Sequence, residues 1–201
     1  MKIRELSIAG AFEVVPAVHG DDRGAFLEWV RADHFEQATG HPFRLAQANA
    51  SVSASGVVRG IHFSQLPPSQ AKWVTCLHGA VVDVVVDIRV GSPTFGVHDS
   101  VVLDSEEPRA VYLAEGLGHA FVSLADHSSV TYLVSTGYSP GREFGINPMD
   151  PELDLPWPDG IEFEFSAKDQ AAPSLAEARE QGLLPTMEQC AAHYAQLRAG
   201  R

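Results

Sequence analysis

His62 lies in the segment Gly56-Val-Val-Arg59-Gly60-Ile-His62-Phe-Ser64, which mixes polar groups into what reads as a half-buried strand. Ten residues on, Lys72 alternates with Val74 and Cys76, so its ammonium shares a strand face with apolar side chains. A lysine in that position is ordinarily a snorkelling edge residue. Near a histidine it also suits enolate chemistry, in which a base removes a proton α to a carbonyl and a cation holds the charge that develops on oxygen. Tyr132, in Val130-Thr-Tyr-Leu-Val134, could return a proton from another side, although alone it would be one more core tyrosine. His119 follows the turn Glu115-Gly116-Leu117-Gly118. The remaining histidines (His19, His34, His41, His78, His98, His127 and His193) read as ordinary core or surface side chains.

The elements that must position these groups are mostly strands. From about residue 44 to 147, short β-branched runs alternate with Gly/Pro/Asp/Ser turns, the pattern of a sandwich or barrel. In the run Ala80–Val90, Val82, Val84, Val86, Ile88 and Val90 share one face, while Val81, Asp83, Val85, Asp87 and Arg89 share the other. Further strands are expected at 97–103, 109–114, 120–124 and 130–135, and eight or more in all favour a jelly roll. Helices sit at the ends. One covers Asp33–Thr39 and stops at Gly40; Ser174 with Glu177 and Thr186 with Gln189 are capping boxes for two more, giving a helical extension over about 174–199. The whole chain, 1–201, reads as one domain.

Composition narrows the partners. With 14 Lys+Arg against 26 Asp+Glu the formal charge is −12, and no basic stripe exists to hold a nucleic-acid backbone. No apolar run reaches the ~18 residues of a membrane span. The charged N-terminus lacks a signal-peptide core, and Cys76 and Cys190 form neither a disulfide framework nor a metal spacing, so a cytoplasmic protein with reduced thiols is expected. A metal-cupin site would want His-x-His with a nearby glutamate; here Ser64 stands two residues after His62, and no glutamate occurs between Ser64 and Ala80. No metal or other cofactor is expected.

Seven ordered motifs carry a resemblance. They are Asp22-Arg23-Gly24-Ala-Phe26-Leu-Glu28, Gln47-Ala-Asn49-Ala-Ser51, Gly56-Val-Val-Arg59-Gly60-Ile-His62, Pro68-Ser-Gln70-Ala-Lys72, Asp83-Val-Val-Val-Asp87-Ile-Arg89, Gly116-Leu-Gly-His119-Ala-Phe121 and Ser166-Ala-Lys168-Asp169. In this order they resemble the dTDP-4-dehydrorhamnose 3,5-epimerase family, from residue 1 to about 185. The resemblance implies a mainly β, cupin-type jelly roll with short terminal helices, metal-free and homodimeric, acting on a dTDP-4-keto-6-deoxyhexose. It implies His62 as general base paired with Asp169, Lys72 facing the C4 carbonyl oxygen, and Tyr132 as general acid. It places Arg23, Glu28, Gln47, Asn49, Arg59, His119, Glu143 and Lys168 along the nucleotide-sugar site and Phe26 and Tyr138 at the thymine, with part of the N-terminal group crossing to a partner subunit. Arg23, Arg59 and Lys168 would suit a diphosphate. The motif around His119 departs from the family where many members have a proline at its start and Ala-His-Gly at the histidine, which affects loop shape. Related antibiotic-pathway enzymes act at C3 or C5 alone with the same base, acid and lysine, so the residues leave one centre or two open.

Overall fold

A computed structural model describes residues 1–200. Strands β1 (Lys2–Glu5), β2 (Ala11–Val15), β3 (Val18–Asp21) and β4 (Gly24–Leu27) come first, followed by helix α1 (Ala32–Thr39). Then run β5 (Gln47–Ser53), β6 (Val57–Ser64), β7 (Lys72–His78), β8 (Ala80–Val86), β9 (His98–Asp104), β10 (Ala110–Leu113), β11 (Gly118–Ser123) and β12 (Ser128–Val134). Two short strands, β13 (Glu143–Gly145) and β14 (Glu164–Phe165), precede helices α2 (Ala167–Gln170), α3 (Leu175–Glu180) and α4 (Met187–Ala199). No helix is long and apolar enough among the described residues to cross a membrane.

Two sheets face each other. One has the order β1-β2-β10-β7-β12-β5; the other runs β13-β6-β11-β8-β9, with β14 added in parallel to β6. This is the expected jelly roll, but it reaches beyond 44–147, since β1, β2 and β14 lie outside that stretch. Val74, Cys76, Val81, Val85, Leu103, Val111, Phe121 and Val130 pack between the sheets. The outer face of one sheet, with Trp73, Tyr112 and Val14, is covered by Phe35 of α1 and by Tyr194 of α4. That of the other, with Ile61, Phe63, Val84 and Val86, is covered by Leu153, Leu155, Leu175 and Ala178. The proline-rich connector after Asn147 is therefore a packed cover.

The helix signals are met at their starts and stops. Ser174 and Thr186 form complete capping boxes, and Gly40 closes α1 at φ 80°, a left-handed conformation that glycine adopts without steric cost. The run Ala80–Val90 departs from expectation. Its strand ends at Val86, because Asp87 turns to receive a two-pronged bond from Arg89, Nε to Oδ1 at 2.8 Å and Nη2 to Oδ2 at 2.7 Å. Both residues are buried, and the hydroxyls of Ser92 and Thr94 also donate to Oδ2. Burial opposes the Asp87 charge, but these bonds outweigh it and hold the carboxyl below its ordinary range. Asp87 and Arg89 thus fix the turn that carries the chain out of the sandwich.

Removing one half of such a pair strands the other charge in the interior. Asp87→Ala is expected to cost about 3–5 kcal/mol of unfolding free energy, measured by denaturant titration; a cost below ~1 kcal/mol would show that Arg89 needs no buried counter-charge.

Candidate active site

Antiparallel strands turn alternate side chains to opposite faces, so Arg59 and His62, three apart, should diverge. They do not. The pairing of β6 with β11 shifts between His119 and Phe121, so that His62 opposes His119 and Arg59 opposes Phe121, and all four face the other sheet. Gly60 makes the shift possible, with φ 116° and an ideal Cβ position only 2.5 Å from the carbonyl oxygen of His119. No larger residue fits between these backbones.

His62 Nε2 lies 2.6 Å from Asp169 Oδ1. The aspartate comes from α2, whose cap Ser166 accepts a bond from the Asp169 N–H, and its side chain is almost fully buried. Burial pushes the Asp169 carboxyl up, yet the bonds from His62, Ser166 and the Gly60 N–H prevail and leave it below the usual carboxylate range. It therefore stays ionised and can only accept, so His62 donates its Nε2–H to Asp169, which fixes the orientation of the imidazole. The His62 side chain remains 39% exposed, open enough to exchange protons with water.

The facing sheet supplies the other groups. Lys72 begins β7, is 8% exposed, and forms no hydrogen bond or ion pair among the described residues, which leaves its donors free. Burial brings its ammonium down to about 8, against the opposing pull of Glu143 and Asp83. Tyr132 on β12 is raised by burial, with Arg59 acting the other way, so its phenol stays protonated near neutrality. Gln47 and Asn49 share the inward face of β5, joined by a 2.6 Å bond from Gln47 Nε2.

These residues line one cleft. A space of about 320 Å³ is bordered by Gln47, Asn49, His62, Lys72, Tyr132, Tyr138, Glu143 and Lys168, together with Gln70 and Phe144. A deeper recess of about 150 Å³ shares His62, Lys72 and Tyr132 and adds Ser51, Arg59, His119 and Phe121. Eleven of the fourteen residues singled out from sequence thus border the cleft, its recess or, for Asp169, the back of its histidine. Arg23, Phe26 and Glu28 do not. They lie on or just after the hairpin β3–β4, where Arg23 pairs with Asp21, Glu28 pairs with Arg31 and Phe26 is 66% exposed. A larger cleft, about 440 Å³, opens between α1, α4 and β2 and contains none of the fourteen.

Gln70, Ser51, Phe121 and Asp83 stand in the sequence motifs but have no site role there, and Phe144 is not singled out by the sequence. Gln70 precedes Lys72 by two, a period that could have placed it on the same face. Phe144 carried no such signal, and its place follows from stacking on Phe63 at 5.9 Å. His62 Nε2 is held by Asp169 and His119 Nε2 by Asp83. Among the described residues no three His, Cys, Asp or Glu side chains are grouped to hold a metal.

Moving a proton off carbon and back needs a base, an acid and a cation for the oxygen charged in between, and side chains of those three types line one cleft inside a cupin-type jelly roll; the class is that of carbohydrate isomerases built on this fold. The chain belongs to the dTDP-4-dehydrorhamnose 3,5-epimerase family, whose model matches residues 5–177. It is 54% identical over 198 residues to a dTDP-4-dehydrorhamnose 3,5-epimerase of Mycolicibacterium smegmatis, covering 98% of both chains. Among solved structures, the rmlC epimerase of Mycobacterium tuberculosis is similar at TM-score 0.96 and 50% identity, over 98% of this chain and all of that one. ChmJ, a 3'-monoepimerase from Streptomyces bikiniensis in complex with dTDP-quinovose, is similar at TM-score 0.94 and 49% identity, over 96% of this chain and 98% of that one.

The buried Lys72 sets a stability prediction. Below pH 8 both folded and unfolded chains carry the charge, and the cost of burying it, on the order of 3 kcal/mol for a fall from 10.5 to about 8, is fully felt. Between 8 and 10.5 the unfolded chain binds more protons, so stability rises with pH there. Lys72→Met is expected to unfold at higher denaturant than wild type at pH 7, with the advantage shrinking as pH rises above 8, while turnover is lost. A pH-independent difference would show that the ammonium is not desolvated.

Proposed function

We propose that this protein epimerises a dTDP-4-keto-6-deoxyhexose at both carbons that flank the C4 ketone. The observation that carries the reading is the 2.6 Å pair of His62, on one sheet, with Asp169 behind it, facing the protonated Tyr132 phenol of the other sheet across a cleft that also holds Lys72. His62 Nδ1 takes the proton from the carbon α to the ketone. The electron pair moves onto the C4 oxygen, where the Lys72 ammonium stabilises it. Tyr132 then donates to the opposite face of the same carbon, inverting it, and the phenolate and imidazolium exchange protons with solvent before the next cycle. Both C3 and C5 are α to the one carbonyl, so a single acid–base set serves both once the ring repositions. Arg59 and Lys168 suit the diphosphate, with Gln47, Asn49, His119 and Glu143 holding the sugar and Tyr138 stacking on the thymine.

The remaining three residues support a homodimer. Hairpin β3–β4 pairs only with itself, and it presents Phe26 and Val18 to solvent, Val18 at 48% exposure. A second copy that receives this hairpin would gain Arg23, Phe26 and Glu28 at its own cleft and cover them. Strand β5 is a sheet edge, with Val52 61% exposed, and offers surface for the same contact.

Turnover of dTDP-4-keto-6-deoxyglucose in heavy water, followed by NMR, is expected to place deuterium at both C3 and C5. Label at one carbon alone would select a monoepimerase, and none at either would sink the reading for this substrate. His62→Asn is expected to reduce exchange about 10²–10⁴-fold. Tyr132→Phe should still exchange, with return to the original face replacing inversion.

For assembly, sedimentation is expected to give a dimer. Co-expressing His62→Asn with Arg23→Ala chains should restore activity that neither variant has alone, because one site of each mixed dimer combines an intact His62 with the other chain's Arg23. No recovery in confirmed mixed dimers would place Arg23 outside the partner's site.

A further inference from the structure

One conspicuous charge of the sequence plays no part in the mechanism above. Asp83 opens the motif Asp83-Val-Val-Val-Asp87, is 1% exposed, and points from β8 into the space between the sheets beside Val81, Val85 and Phe121. Its Oδ2 lies 2.7 Å from His119 Nε2. Its Oδ1 is buried with no hydrogen-bond partner. A carboxylate oxygen left bare in an apolar interior is costly, and an apolar residue would fill the same position more stably. What the carboxylate adds is a fixed negative charge in the interior that Lys72 faces.

Lys72 is otherwise poorly supplied with counter-charge. In its own sheet β10 offers apolar Leu113, and β12 offers apolar Val134 opposite it and the neutral Tyr132 beside it in the cleft. Across the cleft, β6 presents Arg59 and His62, β11 presents His119 and α2 presents Lys168, all neutral or cationic. The carboxylates that act on it are Glu143 on β13, one oxygen of which accepts a 2.6 Å bond from Ser64, and Asp83. When His62 takes a proton it becomes a second cation in this small space. Without a fixed negative charge, Lys72 would tend to lose its own proton at the step that needs it.

Resting on the epimerase reading, we propose that Asp83, held in place by His119, is a positioning residue for the reaction: the buried counter-charge that keeps Lys72 an ammonium while the substrate carbonyl is charged. It touches neither substrate nor reacting atom; it acts through Lys72.

The sequence makes a direct test practical, since Lys2, Lys72 and Lys168 are its only lysines. Protein labelled with carbon-13 at the lysine ε carbon should give three resonances, assigned with Lys2→Arg and Lys72→Arg, and Lys72 should titrate near 8 without substrate. In Asp83→Asn, which keeps the volume and the bond to His119, the Lys72 midpoint is expected to fall by about one pH unit, while Lys2 and Lys168 stay put. The alkaline limb of kcat/KM should move down with it. An unchanged Lys72 midpoint in folded Asp83→Asn would overturn the proposal. Should that variant not fold, Asp83→Ser decides in its place: it removes the same charge with a smaller polar side chain, so the same fall is expected, and an unchanged Lys72 midpoint would overturn the proposal equally. Because the titration is read without substrate, it succeeds or fails separately from the epimerase assay.

Discussion

A strand that keeps its alternation cannot aim residues three apart at the same target, and the cleft depends on β6 breaking that alternation at Gly60. One inserted residue lets Arg59 and His62 both face inward while Ile61 and Phe63 still fill the outer core. The strand is thereby anchored on its outer face while its inner face carries polar side chains. Asp169 approaches this same strand from α2, β11 pairs with one edge of it, and β13 and β14 pair with the other, so four elements meet at β6.

The charges inside the sandwich follow from the low polarity around them. Lys72, Asp83 and Asp169 are each buried, and an isolated charge there would be expelled or neutralised. Each instead faces a partner of opposite sign or a hydrogen-bonding histidine. The result is a cleft with a carboxylate behind His62, a protonated phenol on the facing sheet and an ammonium with free donors. Such preorganisation is where electrostatic catalysis gains most, because the protein need not reorganise as charge moves onto the ketone oxygen.

Asp87 and Arg89 show the same physics used for architecture. They answer one another within two residues and bind the turn hydroxyls of Ser92 and Thr94, which closes the end of β8 without touching the cleft. The hairpin β3–β4 has the opposite character, open and self-paired. The buried groups of the cleft come together within one chain, whereas Arg23, Phe26 and Glu28 stand apart from it on or beside the hairpin.

The sequence alone determined whatever local rules govern. Period-two apolar runs produced the strands, capping boxes at Ser174 and Thr186 started their helices, and Gly40 ended α1. Ordered motifs identified His62, Lys72, Tyr132 and Asp169 as a set. Only the tertiary structure decided where the charged face of β8 points, how Arg59 and His62 come to share a side, and that Asp83 serves the cleft while Asp87 serves a turn. The reason is physical: alternation along a strand assigns residues to two faces, but which face is interior, and where one extra residue swaps them, depends on neighbouring strands that lie far away in the chain.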